Sequence, residues 1–348
     1  MQFRTMQTKN LFNLAVVFAA LVSGNNAYAC AACGCTLSTD WGNQGAGQEI
    51  STKQGFSTDL SYSYVNQNRM IYGSGKASGA QINSLYANGQ EIETLTQTQI
   101  VTASLNYTGE NGGFMLQMPY LYRTHSTDGV INSPNAPLGS NYTTSSDRGM
   151  GDVRIIGSYT GLSSDKTSGI IIGIKLPTGS TGTNFNGGVG AGSALDSGLQ
   201  LGTGSTDLIL GGFSSGLVST YGWFVQGTMQ HAVATEPALG NLTYRPGDAY
   251  GLNTGIRSAA FGSKISPMLQ LNVIKRQADS GTSVPTDVFS GIPVSGGTLA
   301  YLAPGVSVRA GHGMSVYGFV QIPVYQNVNS LQLVPQYTVT IGLRQALD

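Results

Sequence analysis

Apolar and polar residues alternate with a period of two in many short segments of the chain. In the segment at 113–125, Phe114 and Met118 fall on one side, whereas Gln117 and Arg123 fall on the other. A strand places successive side chains on opposite faces, so this pattern predicts β-strands. We predict twelve of them, at residues 55–68, 96–108, 113–125, 149–162, 168–178, 204–215, 217–231, 248–262, 264–276, 297–309, 313–326 and 334–346.

The links between the predicted strands alternate in length. Long glycine- and serine-rich stretches at 179–203 and 277–296 contrast with short ones such as "GENGG" at 109–113 and "AGHG" at 310–313. A soluble β-sandwich would show the same alternation within strands, but an outer-membrane barrel also combines short periplasmic turns with long outer loops. We therefore predict an all-β fold, an antiparallel up-and-down transmembrane β-barrel of about 12 strands over residues 55–348. An even strand number places both ends of the barrel on the periplasmic side.

The N-terminal segment has the features of a secretory signal peptide. Arg4 and Lys9 precede an apolar run that ends at "AYA", residues 27–29, and small residues at this point are typical of a cleavage site. The run is shorter than the roughly 20 apolar residues that a transmembrane helix needs. We predict a signal peptide at 1–29, a periplasmic cysteine-containing segment or plug at 30–54, and export to the outer membrane of a Gram-negative bacterium.

The composition agrees with a barrel and argues against one class of partner. The chain holds 49 glycines and 10% charged residues, and its mean hydropathy is close to zero, as expected where lipid-facing and lumen-facing residues alternate. Removing Arg4 and Lys9 leaves 15 basic against 17 acidic residues. The remaining chain therefore has a small net negative charge, which argues against nucleic acid as a partner. The partners that we predict are outer-membrane lipid and a small-molecule solute.

All three cysteines, Cys30, Cys33 and Cys35, lie in the C-x-x-C-x-C segment "CAACGC". Three interpretations stay open. Thiolates are soft ligands that favour Cu(I) or zinc. An oxidising compartment favours a disulfide that leaves one thiol over, and a cysteine at the mature N-terminus is a candidate for lipidation. Because it precedes the barrel on the periplasmic side, the segment from Cys30 to Cys35 also offers a contact to a periplasmic protein partner.

Several charged residues of the predicted barrel fall on its lumenal face. Asp152, Arg154, Lys175 and Asp207 lie on the fourth, fifth and sixth strands, which are neighbours, and a network of opposite charges would avoid the cost of burying either sign alone. Such a network either braces the barrel wall or forms a constriction that selects solutes or ions. Arg257 is a further lumenal candidate, although a register slip of one residue would turn it outward.

The sequence holds little that resembles catalytic machinery. Its three histidines, His125, His231 and His312, fall at predicted strand ends, where a histidine is most often a solvated residue. His125 with Asp128 and a serine is the one conceivable triad, but no "GxSxG" nucleophile elbow occurs. The segment "GTGSTD" lacks the lysine of a phosphate-binding loop. We therefore predict that the protein is not an enzyme and holds no cofactor.

Three glycine-rich motifs resemble a known family. "GMGDVRIIGSY" at 149–159, "GIKLPTGS" at 173–180 and "LGTGSTDLILGG" at 201–212 are similar to the pattern of the MetA-pathway phenol-degradation proteins. This is a family of outer-membrane transporters that is loosely similar to the fatty-acid and aromatic-hydrocarbon channels. The resemblance implies a barrel that passes small molecules. In physical terms, Pro177 would end a strand and Gly179 would permit the turn that follows.

Two functions follow as expectations. The first is an outer-membrane channel for small hydrophobic or aromatic solutes, which diffuse through a narrow or plugged lumen. The alternative is an outer-membrane scaffold whose CxxCxC segment binds a metal or a redox or other periplasmic partner, as in porins that act as electron conduits. The family resemblance favours the channel and says nothing about the cysteine segment.

Overall fold

The computed structural model describes residues 54–129, 137–238, 242–258 and 264–347, and almost all of their regular structure is β. The predicted signal peptide, the plug and the three cysteines lie outside these residues. No helix in the described part of the chain is long and apolar enough to cross a membrane. The described elements are β1 (Gly55–Tyr72), β2 (Gly75–Lys76), α1 (Gly79–Ala87), β3 (Ile92–Thr108), β4 (Gly112–Asp128), β5 (Tyr142–Met150), β6 (Val153–Tyr159), β7 (Ser168–Leu176), β8 (Gly187–Gly188), a 3-10 turn (Ser197–Leu199), β9 (Ser205–Val218), β10 (Tyr221–Thr235), β11 (Ala249–Ser258), β12 (Ile265–Arg276), β13 (Gly297–Gly311), β14 (Met314–Val328) and β15 (Leu331–Leu347).

The strands close into a twelve-stranded antiparallel barrel. β1 pairs with both β15 and β3, β3 continues to β4, and from β15 the sheet runs back strand by strand through β9, β7 and β6 to β4. β5 and β6 are two halves of one wall strand beside β4, and β2 and β8 are two-residue additions. The predicted fold class is thereby confirmed. Closure pairs the wall strands on both sides over most of their length, which is what a sheet requires in lipid; the exception is β5, whose far edge pairs only with β8.

The fourth wall strand differs from the prediction, which had one strand at 149–162. The chain pairs with β4 as β5, breaks at Gly151 and Asp152, and resumes as β6. β7 pairs with β6 only as far as Leu176, where the chain leaves the sheet. We call residues 177–204, which follow, the inner loop, because contacts given below hold them against the lumenal face of the wall.

The two faces of the barrel follow the predicted alternation. Apolar side chains cover the outside, where Leu60 and Ile172 are 52% and 58% exposed, and lipid covers such a surface. The inside is polar: the hydroxyl oxygens of Ser63 and Thr340 lie 2.9 Å apart, and Gln321 is fully buried. A closed barrel with an apolar exterior and a polar interior is an outer-membrane protein.

One side-chain direction in β14 differs from the simple alternation. The pattern placed Tyr325 inside together with Tyr317, but Tyr325 is 49% exposed and its neighbour Val324 is 59% exposed. The pairing of β13 with β14 shifts between Ala300 and Tyr301, opposite this point. A bulge of one residue sends the side chains beyond it to the other face, which accounts for the difference.

The helix α1 packs over the outer mouth and was predicted only as part of a long link. Its N-terminus carries a capping box, in which Ser78 Oγ accepts from Gln81 N at 3.2 Å and Gln81 Oε1 accepts from Ser78 N at 2.9 Å. Tyr86 of the helix belongs to a buried cluster with Ile92 and Leu331 at the outer ends of β3 and β15. The S-x-x-Q spacing was the sequence signal for this helix.

Candidate lumenal site

A buried cation lies between two carboxylates on the lumenal wall. Lys175 on β7 is 1% exposed. Its Nζ lies 3.0 Å from Asp207 Oδ2 on β9 and 3.2 Å from Asp152 Oδ2 at the break between β5 and β6. The same Nζ donates hydrogen bonds to the hydroxyls of Thr203 and Ser205. The structure thus brings three of the predicted lumenal residues into one network, which we call the lysine triad (Asp152, Lys175 and Asp207).

Asp152 ties the two ends of the inner loop together. Its Oδ1 accepts from the backbone N–H of Gly179 at 3.1 Å. Its Oδ2 accepts from the N–H of Thr203 at 2.9 Å and from the hydroxyl of Thr203 at 2.7 Å. Gly179 stands near the start of the inner loop and Thr203 near its end. Hydrogen bonds to a carboxylate are among the strong ones, so one side chain holds the base of the loop closed.

Three glycines meet at the base of the inner loop. A Cβ added to Gly202 would lie 2.5 Å from the carbonyl carbon of Gly179, and a Cβ added to Gly179 would lie 3.1 Å from Gly151 Cα. A larger side chain at Gly202 would therefore push the two backbone segments apart. Each glycine belongs to one of the three motifs that carry the family resemblance, so the motifs mark this close backbone contact.

The inner loop is also fixed to the wall of the barrel. Arg123 on β4 is 3% exposed, and its Nη1 donates to the carbonyl oxygens of Leu199 at 2.7 Å and Gln200 at 2.9 Å. Its Nε donates to Thr98 Oγ1 on β3 at 3.2 Å. The alternation predicted that Arg123 faces inward, but nothing in the sequence pointed to its partners, because residues so far apart in the chain meet only in the folded barrel.

Beside the inner loop, the wall encloses a cavity of about 50 Å³. The lysine triad, Arg154 and Arg276 line its charged side. Arg154 is 7% exposed, and Arg276 Nη2 lies 3.1 Å from Asp279 Oδ1. The apolar side is formed by Ile100, Leu121 and Leu201, which make up one buried cluster. The cavity is therefore narrow and has one polar and one apolar side.

The remaining predicted site residues lie elsewhere. Arg257 is half-buried and faces inward opposite Gly222, near the periplasmic end of β11. Its Nε would lie 2.9 Å from a Cβ at Gly222, so the glycine makes room for the arginine. Arg257 is thus lumenal but does not line the cavity. Cys30, Cys33 and Cys35 lie outside the described residues, so their pairing, metal binding and lipidation stay predictions.

A second ionic cluster lies nearer the periplasmic end of the lumen. Asp59 on β1 accepts from the hydroxyl of Tyr317 at 2.9 Å, and its Oδ2 lies 3.3 Å from Arg344 Nη2 on β15. These three residues join β1, β14 and β15, the strands on one side of the barrel closure. They link three wall strands, and none of them lines the cavity beside the inner loop.

Two carboxyl groups at the outer end of the lumen have raised pKa values. Asp196 belongs to the inner loop, and its burial raises the pKa of this carboxyl to about 6. Glu91 precedes β3, and burial together with the nearby charge of Asp196 holds its pKa well above the usual range. Burial favours the protonated, neutral form of both carboxyl groups. If both lost their protons, the negative charges of Asp196 and Glu91 would lie close together and repel each other. We therefore expect the docked position of the inner loop to depend on pH.

His125 and Asp128 do not pair with each other as a catalytic triad would require. His125 was predicted to be a solvated rim residue, but it is 2% exposed, and its Nδ1 lies 2.8 Å from Thr96 Oγ1. Asp128, its conceivable triad partner, instead accepts from the hydroxyl of Tyr86 at 3.0 Å. In the parts of the chain that the structure describes, no group of three histidine, cysteine or acidic residues is placed to hold a metal ion.

Comparison with known proteins defines the class of fold. No protein-family profile matches the chain, and no curated protein matches its sequence. An outer membrane channel from Pseudomonas putida F1 superposes with a TM-score of 0.56 over 85% of this chain and 97% of that chain, at 9% identity. The Ralstonia pickettii toluene transporter superposes with a TM-score of 0.40 over 85% and 90%, also at 9% identity. At 9% identity the likeness to the Pseudomonas putida channel is one of fold, that of an outer-membrane β-barrel.

Proposed function

We propose that this protein is an outer-membrane channel for small hydrophobic or aromatic solutes. The observation that carries the proposal is the inner loop, which Asp152 and Arg123 fasten to the lumenal wall beside a narrow cavity. The Pseudomonas putida outer membrane channel that shares the fold supports this class of function. The three motifs similar to those of the phenol-degradation transporters support it as well, and membership of that family is part of the proposal.

The apolar part of the cavity lining favours a small, largely apolar solute, and the inner loop must move before an aromatic ring can pass, since a cavity that holds benzene measures about 150 Å³. The cavity measures about 50 Å³, and one of its sides consists of Ile100, Leu121 and Leu201. A sugar or ion that loses its water against these side chains gains no hydrogen bond in return, and unpaired polar groups are costly. An aromatic ring keeps its dispersion contacts there. The polar atoms of Lys175 and Asp152 already bond to each other and to the inner loop, so these bonds do not replace the water that a polar solute loses.

Uptake by whole cells tests the channel directly. A Gram-negative host without hydrocarbon channels of its own is given isotopically labelled toluene or arabinose. Expression of the protein is expected to raise toluene uptake severalfold and to leave arabinose uptake at the level of the empty vector. Lys166→Gln, on a periplasmic turn away from the lumen, serves as the matched control. Equal acceleration of both solutes would indicate a general porin, and acceleration of neither would rule out the proposed channel.

The scaffold function depends on Cys30, Cys33 and Cys35 and stays a prediction, as does the plug at 30–54. Replacing the three cysteines by serine separates the two functions. A metal or a periplasmic protein that co-purifies with the original protein and disappears from the variant would favour the scaffold. Unchanged toluene uptake by the same variant would show that the channel does not need the cysteines.

A further inference from the structure

A group of polar and charged side chains lies on the outside of the barrel, apart from the lumenal site. His231 on β10 is paired with Leu208, which is 40% exposed on the outer face of β9. Lys275 on β12 is paired with Tyr250 on β11 and follows the inward-facing Ile274. His231, Tyr250 and Lys275 therefore point outward from three adjacent strands. Neighbouring strands are about 4.8 Å apart, so the group spans roughly 10 Å.

Hydrogen bonds organise this group around an arginine. His231 Nδ1 lies 2.7 Å from Asp248 Oδ1, and Arg245 Nη2 lies 3.2 Å from His231 Nε2. An arginine is always protonated and only donates, so Nε2 accepts and Nδ1 carries the proton that it donates to Asp248. Arg245 also donates to the carbonyl oxygen of Ala232. We call His231, Arg245, Asp248 and Lys275 the outer cluster.

The outer cluster carries net positive charge. Asp248 bonds to the ring of His231, which is neutral in this arrangement. The guanidinium of Arg245 contacts two neutral acceptors, the imidazole nitrogen and a backbone carbonyl. The formal charges of Arg245, Asp248 and Lys275 sum to one positive charge. Arg245 lies exposed and His231 is 41% exposed along its side chain, so an anion can reach both.

Along the barrel axis, the outer cluster lies at the level of the lipid headgroups of the outer leaflet. Tyr221 begins β10 at the periplasmic turn, and His231 stands ten residues further along the same strand. A tilted strand crosses the hydrocarbon layer in about 9–11 residues. Below the cluster, the outward residues Leu210 and Ile256 are apolar and exposed. A cationic side chain at this level extends its charged end toward the polar layer.

We propose that the outer cluster binds a phosphate group of lipid A in the outer leaflet. Lipopolysaccharide forms this leaflet in Gram-negative bacteria, and its lipid A carries phosphates at the level where the acyl chains end. Arginine suits a phosphate because its planar fork can bind two oxygens at once. Lys275 supplies a second charge from the neighbouring side, and His231 holds Arg245 in position. The proposal concerns the lipid-facing surface and is independent of the solute that the lumen passes.

Native mass spectrometry of the purified barrel in detergent tests the proposal. Bisphosphorylated lipid A is titrated against the same lipid from which the phosphates have been removed. We expect the phosphorylated form to bind about tenfold more tightly, the size of one charge-assisted contact. Arg245→Gln and Lys275→Gln are each expected to remove most of this difference. Lys166→Gln, a cation on the periplasmic turn, is the control that should retain it.

The outcomes separate the ligands that share phosphate chemistry. Equal binding of the two lipids by the unmodified protein would overturn the proposal. So would displacement of lipid A by inorganic phosphate at a similar concentration, because the site would then be one for a free anion. Both substitutions lie on the surface, and Lys275→Gln leaves the contacts of His231 with Arg245 in place, so it tests the site even if Arg245→Gln does not fold.

Discussion

Lys175 and Asp207 face each other across the ladder between β7 and β9, and their charged groups lie 3.0 Å apart. The third member of the triad, Asp152, comes from the break in the neighbouring wall strand and binds both ends of the inner loop. The ion pair that braces the wall therefore also anchors the element that narrows the lumen. We therefore expect stability and conductance to change together at this site, and both can be measured on the same variants.

Removing the cation of the triad should destabilise the barrel and widen the path. Lys175→Met leaves the carboxylates of Asp152 and Asp207 buried without a counter-ion. Loss of one partner of a buried pair typically costs about 3–5 kcal/mol. We expect the free energy of unfolding, measured in urea with the barrel in detergent micelles, to fall by an amount in that range. Single-channel conductance in a planar bilayer should rise, because the uncompensated carboxylates of Asp152 and Asp207 repel each other and draw Asp152 away from its bonds to Gly179 and Thr203.

A second substitution shows whether Lys175→Met destabilises the barrel through the lost charge or through altered packing. Adding Asp207→Asn to Lys175→Met removes one of the two buried charges and should restore part of the lost stability. Lys166→Gln breaks the exposed pair of Lys166 with Glu110 and should change stability by less than about 1 kcal/mol. A double variant no more stable than Lys175→Met alone would mean that the triad acts through packing, contrary to this prediction.

The glycine contact gives a steric test of the loop base. In Gly202→Ala, the new Cβ would meet the backbone of Gly179 at 2.5 Å, so the two ends of the inner loop must separate. We expect increased conductance and a lower unfolding temperature. Gly182→Ala is the matched control in the same loop, because a Cβ at that position has no neighbour within 4 Å. Similar behaviour of the two alanine variants would contradict the close contact.

Much of the barrel could be predicted because its main signal is local. The period of two along each strand is a property of neighbouring residues, and it placed Asp152, Lys175 and Asp207 on the same side of the wall. It fails where one residue is inserted, as at Val324 and Tyr325, since nothing in the pattern marks the bulge. The break at Gly151 interrupts an otherwise continuous alternation, and its one signal in the sequence is the glycine pair of "GMGD", Gly149 and Gly151, which can bend a strand.

The course of the inner loop could not be predicted, because its contacts are distant in sequence. Arg123 and Leu199 are 76 residues apart, and Asp152 and Thr203 are 51 apart. A glycine-rich link of this length is compatible with many conformations. What selects one is a set of partners supplied by β3, β4, β7 and the strand break, which only the closed barrel brings together.

Arg123 should be needed to keep the inner loop docked. Arg123→Lys retains the charge but cannot reproduce the set of bonds to Leu199, Gln200 and Thr98, and hydrogen bonds to charged groups contribute about 1.5–3 kcal/mol each. Phe185 of the loop is 2% exposed, and its release would make it a site for chymotrypsin added to intact cells. We expect cleavage after Phe185 in the variant only, identified by mass spectrometry of the fragments.

Arg148→Lys is the control for this experiment. Arg148 lies on β5 and is exposed, so the conservative change there should leave the protease pattern as it is. Cleavage after Phe185 in the unmodified protein at the same rate would show that the loop leaves the lumen without help, and Arg123 would then have no part in docking it.

The conductance should also depend on pH through the inner loop. Burial raises the pKa of Asp196 to about 6, and burial and the charge of Asp196 raise the pKa of Glu91 well above its usual range. A carboxyl with a raised pKa binds more protons in the docked loop than in a released one. The docked position is therefore most stable below the ordinary carboxyl pKa and loses this stability as the pH rises through about 6. We expect conductance to increase between about pH 5 and pH 7.5.

Asp196→Asn should flatten this pH profile, because the variant has no proton to lose and no charge to place near Glu91. Asp165→Asn is the matched control on a periplasmic turn. Hydrogen bonds from Thr167 lower the pKa of the Asp165 carboxyl, so it stays ionised over the whole range and its removal should leave the profile unchanged. If Asp196→Asn retained the full rise in conductance, another group would control the inner loop, and the pairing of Asp196 with Glu91 would not be the source of the pH dependence.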